Sequence, residues 1–102
     1  MRVARVVRSF VAGVLLVNSV PHGVSAFPGR TFPSPFGKPP GQGHSSPESN
    51  AVWSAANASL GAIALPRGVR TAAERAGFAL GSIGMGLFLA SHFRRVQDLP
   101  DV

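Results

Sequence analysis

The side chains in this sequence that could do chemistry are amides and imidazoles, set in or beside apolar runs. Asn18 and His22 follow the run from Phe10 to Val17. Asn50, Trp53 and Asn57 interrupt a stretch rich in Ala and Ser, and His92 closes one rich in Gly. Imidazole suits a metal or a haem iron. Amides beside histidines suit a small polar ligand or an ion. Against these stand plainer roles. A carboxamide at membrane depth holds helices together, worth about 0.6–2 kcal/mol. A histidine after Pro21 caps its helix or bonds a loop backbone, and a tryptophan anchors at an interface. No third ligand fixes a metal geometry, so neither a metal site nor a cofactor is expected. Ser45 or Ser46 with His22 makes a conceivable nucleophile and base, but no carboxylate is placed to orient the imidazole. Phosphate loops, HExxH and G-x-S-x-G are missing from the sequence. Without cysteine there is no thiol catalysis and no thiolate zinc site. The four acids, Glu48, Glu74, Asp98 and Asp101, leave little for a carboxylate pair. No catalytic residue is assigned, and the chain does not read as an enzyme.

The elements that must position these residues come from three stretches free of Asp, Glu, Lys and Arg: 9–29, 49–66 and 76–93. Each reaches the lower limit of the roughly 17–25 residues that a membrane helix needs. The first is apolar all round, and Pro21 is expected to end or bend it. The second is weaker, closed by Pro66 and Gly68. The third holds four glycines, which favour close backbone approach in a membrane. Gly77 and Gly81 make one small-residue ridge, and Ser82, Gly86 and Ala90 another. Ala51, Ala55 and Ser59 offer a ridge on the second helix, with Ser54, Ala58 and Ala62 beside it. Between the first two stretches, six prolines and four glycines in 28–48 forbid a helix. Phe27, Phe32 and Phe36 among those prolines favour an ordered hairpin on a membrane surface over a flexible linker. The expectation is a single all-α membrane domain of three transmembrane helices, about 4–22, 50–65 and 76–93. A Pro/Phe-rich extracytoplasmic loop 23–49, an inner loop 66–75 and a tail 94–102 complete it.

A net charge of +6 first suggests nucleic acid, but the charges bracket apolar runs instead of clustering with aromatics. No nucleic-acid partner is expected. With the N-terminus cytoplasmic, Arg2, Arg5, Arg8, Arg67, Arg70 and Arg75 lie inside, and Arg30, Lys38, Arg94 and Arg95 outside. Asn18, His22, Asn50, Trp53 and His92 then gather near the outer interface. By the helical rise, Asn57 lies about 10 Å below Asn50, and Asn18 about 6 Å below His22. Two amides thus reach membrane depth on neighbouring helices, placed to hydrogen-bond to each other or to carbonyls of the folded-back loop. The match of Asn57, Ala58 and Ser59 to a glycosylation sequon carries no weight in a bacterial membrane helix.

The N-terminus also fits a secretory signal, with a basic start, an apolar run and a small-residue site at Val24, Ser25 and Ala26. The residues alone leave cleavage after Ala26 and a retained helix both open. A mitochondrial presequence is a third option that the long uncharged run disfavours.

The block Asn18, Pro21, His22, then Phe32, Pro33, Pro35, Phe36, Pro39, Pro40, Gly41, then Ser45, Ser46, Pro47, Asn50, Trp53 and Asn57 resembles a family of small bacterial, largely actinobacterial, integral membrane proteins of unknown function. Leu89 to Phe93 is also similar. Ser54 departs from the glycine that tends to follow the tryptophan in that family. The resemblance implies a retained first helix and brings no activity. The expected role is a small structural or accessory protein of the bacterial plasma membrane, multi-pass, its C-terminus extracytoplasmic. Such thin helices bury little alone, so lipid and a homo-oligomer or larger membrane complex are the expected partners. The alternatives are binding or transport of a small ligand, ion, haem or metal through the outer polar cluster, and a secreted precursor.

Overall fold

The computed structural model describes residues 2–96; the end of the expected tail, 97–102, lies outside the described residues. Three helices and one short hairpin make up the fold: α1 (Arg2–Ala26), β1 (Phe32–Pro33), β2 (His44–Ser45), α2 (Pro47–Ile63) and α3 (Ala72–Val96). At about 1.5 Å per residue, α1 and α3 are each about 37 Å long, and both are long and apolar enough to cross a membrane. The 17 residues of α2 give about 25 Å.

Each terminus has a local cause. Pro21 does not end the first helix, which continues to Ala26. The stop comes from Gly29, whose φ of 81° no β-carbon residue adopts cheaply. Gly29 N–H donates to the Ala26 carbonyl and Arg30 N–H to the Ser25 carbonyl, the paired bonds of a Schellman cap. Beside the proline, the Ser54 hydroxyl of α2 donates to the Ser19 carbonyl at 2.7 Å. α2 begins at Pro47, three residues before the expected start, because Ser46 caps it. The Ser46 Oγ accepts from Ser49 N–H at 3.0 Å, and Pro47 sits in the first turn, where no N–H is needed. α3 starts at Ala72, four residues early, because Thr71 and Glu74 form a capping pair. Thr71 Oγ1 accepts from Glu74 N–H at 3.0 Å, and Glu74 Oε1 accepts from Arg70 N–H at 3.1 Å.

The helices pack with α1 in the middle, and α2 and α3 contact α1 far more than each other. The pairings Val6–Gly77, Phe10–Gly81 and Gly13–Ser82 make α1 and α3 parallel. The pairings Leu16–Gly61, Asn18–Asn57 and His22–Asn50 make α2 antiparallel to both. The α1–α3 seam is backbone on backbone. A β-carbon at Gly77 would lie 2.9 Å from the Val6 carbonyl oxygen, and one at Gly81 would overlap the Phe10 carbonyl.

Part of the expected small-residue ridges is displaced. Ser82 meets Gly13, but Gly86 has open space where a side chain would stand, and Ala90 is exposed. On α2 the face against α1 is Asn50, Ser54, Asn57 and Gly61, while Ala51, Ala55 and Ser59 face outward. The reason is helical phase. A step of four residues overshoots the turn by about 40°, so a strict four-residue ridge rotates off a straight contact. A mixed step of three and four keeps α2 in register.

Residues 27–46 fold back over the end where α1 stops, α2 starts and α3 stops. Phe32 pairs with Ser45, and Pro33 with His44, antiparallel. The tip is self-packed. Gly37 lies against the Gly43 backbone and Gly43 against that of Lys38, so closely that neither admits a β-carbon, and Gly37 N–H and Gly41 N–H both donate to the Ser34 carbonyl. Ser34 is buried, its hydroxyl 2.5 Å from that of Ser45.

Candidate functional site

The loop end of the bundle brings together five of the six polar and aromatic candidates as a connected set, and ties the sixth to the loop tip. Asn50 is at its centre, fully buried in the first turn of α2. Its Nδ2 lies within hydrogen-bond distance of Phe32 O (3.0 Å), Ser46 O (3.1 Å), Ser45 Oγ (3.1 Å) and Ser45 O (3.3 Å). Four acceptors around one atom identify it as the amide nitrogen. The other amide atom is therefore oxygen, and it lies 2.6 Å from His22 Nδ1. An amide oxygen only accepts, so Nδ1 of His22 carries a proton and donates it. The carboxamide thus joins α1, α2 and both strands of the hairpin.

The His22 ring is 3% exposed and stands edge-on to three aromatic rings: Phe32 at 5.6 Å, Phe93 at 6.1 Å and Trp53 at 6.5 Å. Phe36 covers Trp53 at 5.7 Å. The ring is thereby enclosed by residues of all three helices and the hairpin. Deeper along the helices, Asn18 Nδ2 donates to Asn57 Oδ1 at 3.0 Å, and Asn57 Nδ2 donates to the Trp53 carbonyl at 2.8 Å. His92 stands apart from the pair of amides. Its Nε2 donates to the Gly41 carbonyl at 2.6 Å, its ring stacks on Phe88 at 5.6 Å and meets Phe93 at 5.4 Å. It secures the loop tip to the end of α3.

This arrangement can hold a loop on a helix bundle. Every described buried side-chain nitrogen and oxygen has a hydrogen-bond partner. Each candidate histidine commits one nitrogen to an oxygen of the protein, and no group of three His, Cys, Asp or Glu that could hold a metal occurs among the described residues. The Ser45 hydroxyl is engaged with Ser34 and Asn50 and not with His22, so the nucleophile–base pairing does not form.

Several participants were not placed at this site from sequence. Phe32 and Phe93 supply two of the three rings around His22. Ser54 donates to Ser19 O while its hydroxyl fills the space beside Gly23. The signal for Ser54 was its spacing, four residues from Asn50 and three from Asn57. At the opposite end, Arg5, Arg8, Arg67 and Arg70, read from sequence only as flanking charges, surround one cavity.

Comparison of the chain with family models, with curated proteins and with solved structures gives no match.

Proposed function

We propose that this protein is a small integral membrane protein of a bacterial plasma membrane, with three spans, a cytoplasmic N-terminus and a structural or accessory role in a larger assembly. The inverted burial pattern carries this reading. The hydrophobic side chains buried among the described residues are Ala12, Leu89 and Val96, whereas buried polar ones include Ser9, His22, Ser34, Asn50 and Asn57. Large apolar side chains such as Val7, Phe10, Leu60, Ile63, Leu80, Leu87 and Phe88 are exposed. In water such a surface is an aggregation site; against lipid it is the ordinary outer face, with polar groups satisfied inside. The molecule is 47 Å along its long axis, comparable with the roughly 40–45 Å of a whole bilayer.

The shorter α2 fits this frame because the hairpin continues it at one end and the turn at Leu65 to Gly68 at the other. Six cationic side chains lie at the end where α1 and α3 begin, and four at the loop end, the asymmetry that orients such proteins with the richer end inside. Retention of the first helix is part of the proposal, since α1 is the helix on which both others pack. The resemblance of the Asn18 to Asn57 block to small bacterial membrane proteins points the same way. The loop end, locked by its own hydrogen bonds, suits a rigid surface offered to a partner.

The test uses the absence of native cysteine. Single Cys at Lys38 and at Gly68 are labelled in whole cells with a membrane-impermeant maleimide, and the intact mass of the membrane-extracted protein is measured. Labelling at 38 but not at 68, with residues 1–26 still present, is the expected result. The reverse labelling overturns the orientation, and a mass lacking 1–26 overturns the three-span reading.

A further inference from the structure

We propose that the cavity between the start of α1 and the α2–α3 connection is a phosphate-binding site, and that the phosphate it takes is the headgroup of an anionic membrane lipid. The inference rests on the membrane reading above and adds a ligand at the end remote from the asparagine–histidine lock.

The cavity measures about 320 Å³ and is lined by Arg5 and Arg8 of α1, by Pro66, Arg67 and Arg70 of the connection, and by Glu74 of α3. That volume is at the lower end for small-molecule sites. The charge rule for membrane proteins accounts for arginines at this end. It does not account for four of them, from segments some sixty residues apart in the chain, converging on one hollow with a single acid. That acid is partly engaged by backbone, and of the arginines Arg5 acts on its carboxylate through charge. Glu74 Oε1 accepts the Arg70 N–H, and the Glu74 N–H is capped by Thr71, so the residue shapes the connection. Arg70 is held by the same turn, its Nε donating to the Arg67 carbonyl at 3.1 Å. Among the described residues, the guanidinium groups of Arg5, Arg8 and Arg67 donate to no protein acceptor, in contrast to Arg70, Arg75 and Arg95. Cations brought together repel unless an anion lies between them. Guanidinium is the group that grips phosphate oxygens two at a time.

The position selects the source of the phosphate. Ser9, which adjoins the cavity on α1, is one turn from Arg5, and the apolar run of α1 begins at Phe10. The site therefore lies where headgroups meet hydrocarbon. A second hollow of about 420 Å³ shares Arg5 and Glu74 and continues past Val6, Ala72 and Ala73, an apolar wall for a glycerol backbone. Basic pockets between membrane helices on the cytoplasmic side have this composition when they hold anionic headgroups.

The experiment is native mass spectrometry of the full-length protein extracted in detergent, titrated with phosphatidylglycerol, with phosphatidylcholine and with inorganic phosphate. The same is done for Arg8→Gln/Arg67→Gln and, as a control at the other end, Arg94→Gln/Arg95→Gln. Carbonate washing of the membranes first establishes insertion. The expected result is an adduct with phosphatidylglycerol at least tenfold tighter than with phosphatidylcholine. The preference is lost in Arg8→Gln/Arg67→Gln, retained in the control, and partly restored by Lys at 67, which keeps charge without the fork. Equal binding of the two lipids by the wild type, or full preference in Arg8→Gln/Arg67→Gln, overturns the site while leaving the membrane reading intact. Retention of inorganic phosphate without lipid preference overturns the lipid as its source. Release of the wild type by carbonate overturns the membrane reading and the lipid site together.

Discussion

Asn50 joins four segments through one carboxamide, so its replacement is the most informative single change at the loop end. In Asn50→Leu, the proton on His22 Nδ1 loses its acceptor and the hairpin loses the amide that ties it to α2, while the Ser46 carbonyl keeps the backbone N–H of residue 50 and the Phe32 carbonyl keeps the Ser45 hydroxyl. A buried group left unpaired costs about 1–3 kcal/mol, and partners in one network fall together. A loss of about 2–4 kcal/mol is expected in denaturant unfolding of the detergent-solubilised protein, with the loop becoming sensitive to protease before the helices. The Asn18–Asn57 bond is a smaller matter, since Asn57 also bonds its own helix at Trp53. A double-mutant cycle with Asn18→Ala and Asn57→Ala is expected to give a coupling of about 0.6–1.7 kcal/mol, the range for polar pairs between membrane helices. Additive single changes would mean that the two amides are independent. These residues stood out in the sequence because each interrupts an apolar run, and their depth followed from helical rise alone. Asn18 with Asn57 is one of two pairings the sequence offers, the other being with loop carbonyls; the pairing of His22 with Asn50 is not legible there. Whether His22 meets Asn50 or a loop carbonyl depends on how far α2 is shifted along α1, which no residue near either states. The aromatic enclosure was hidden for the same reason, Phe32 and Phe93 being sixty-one positions apart.

The helices themselves were readable in kind and in order, and the errors lie at their ends and faces. Ser46, Thr71 and Gly29 each set a boundary three or four residues from where the apolar runs and Pro21 alone would place it, because a cap and not the last apolar residue ends a helix. Spacing by four keeps two small residues of a helix in line but not three. Gly81 and Gly86 therefore respond oppositely to the same change. Gly81→Ala puts a methyl into the Phe10 carbonyl, and both backbones must part, at about 1–3 kcal/mol. Gly86→Ala meets no atom of its own chain and removes a flexible residue from a helix, so stability is expected to hold or rise. Thermal unfolding of the two variants in one detergent decides this. A fall for Gly86→Ala as large as for Gly81→Ala would place a second copy of the chain against that face of α3.

The order of packing across the whole molecule makes α1 indispensable in a particular way. In a compact three-helix bundle each helix touches the other two, and losing one leaves a pair. Here α2 reaches α1 through Asn50, Ser54, Asn57 and Gly61, and α3 reaches it through Gly77, Gly81 and Ser82. Those two faces have no comparable contact with each other. A chain starting at Phe27 would still contain an α3 long and apolar enough to insert. It would present two faces lined with small and polar residues and nothing to put between them. Asn50 and Asn57 would lose His22 and Asn18, and amides facing lipid without a partner are costly. The truncated chain is therefore expected to reach the membrane and be degraded there, with a half-life several-fold shorter than that of the full chain in a pulse-chase measurement. Because membrane helices insert before they associate, a separate peptide of residues 1–30, carrying Arg2 to Ala26 and its Gly29 cap, should insert on its own and restore the lifetime. Rescue should fail when that peptide carries Gly13→Leu, since a β-carbon at Gly13 lies 2.5 Å from the Phe78 carbonyl oxygen. A truncated chain as long-lived as the full one would show that α2 and α3 find each other directly, and that α1 is an appendage rather than the axis of the fold.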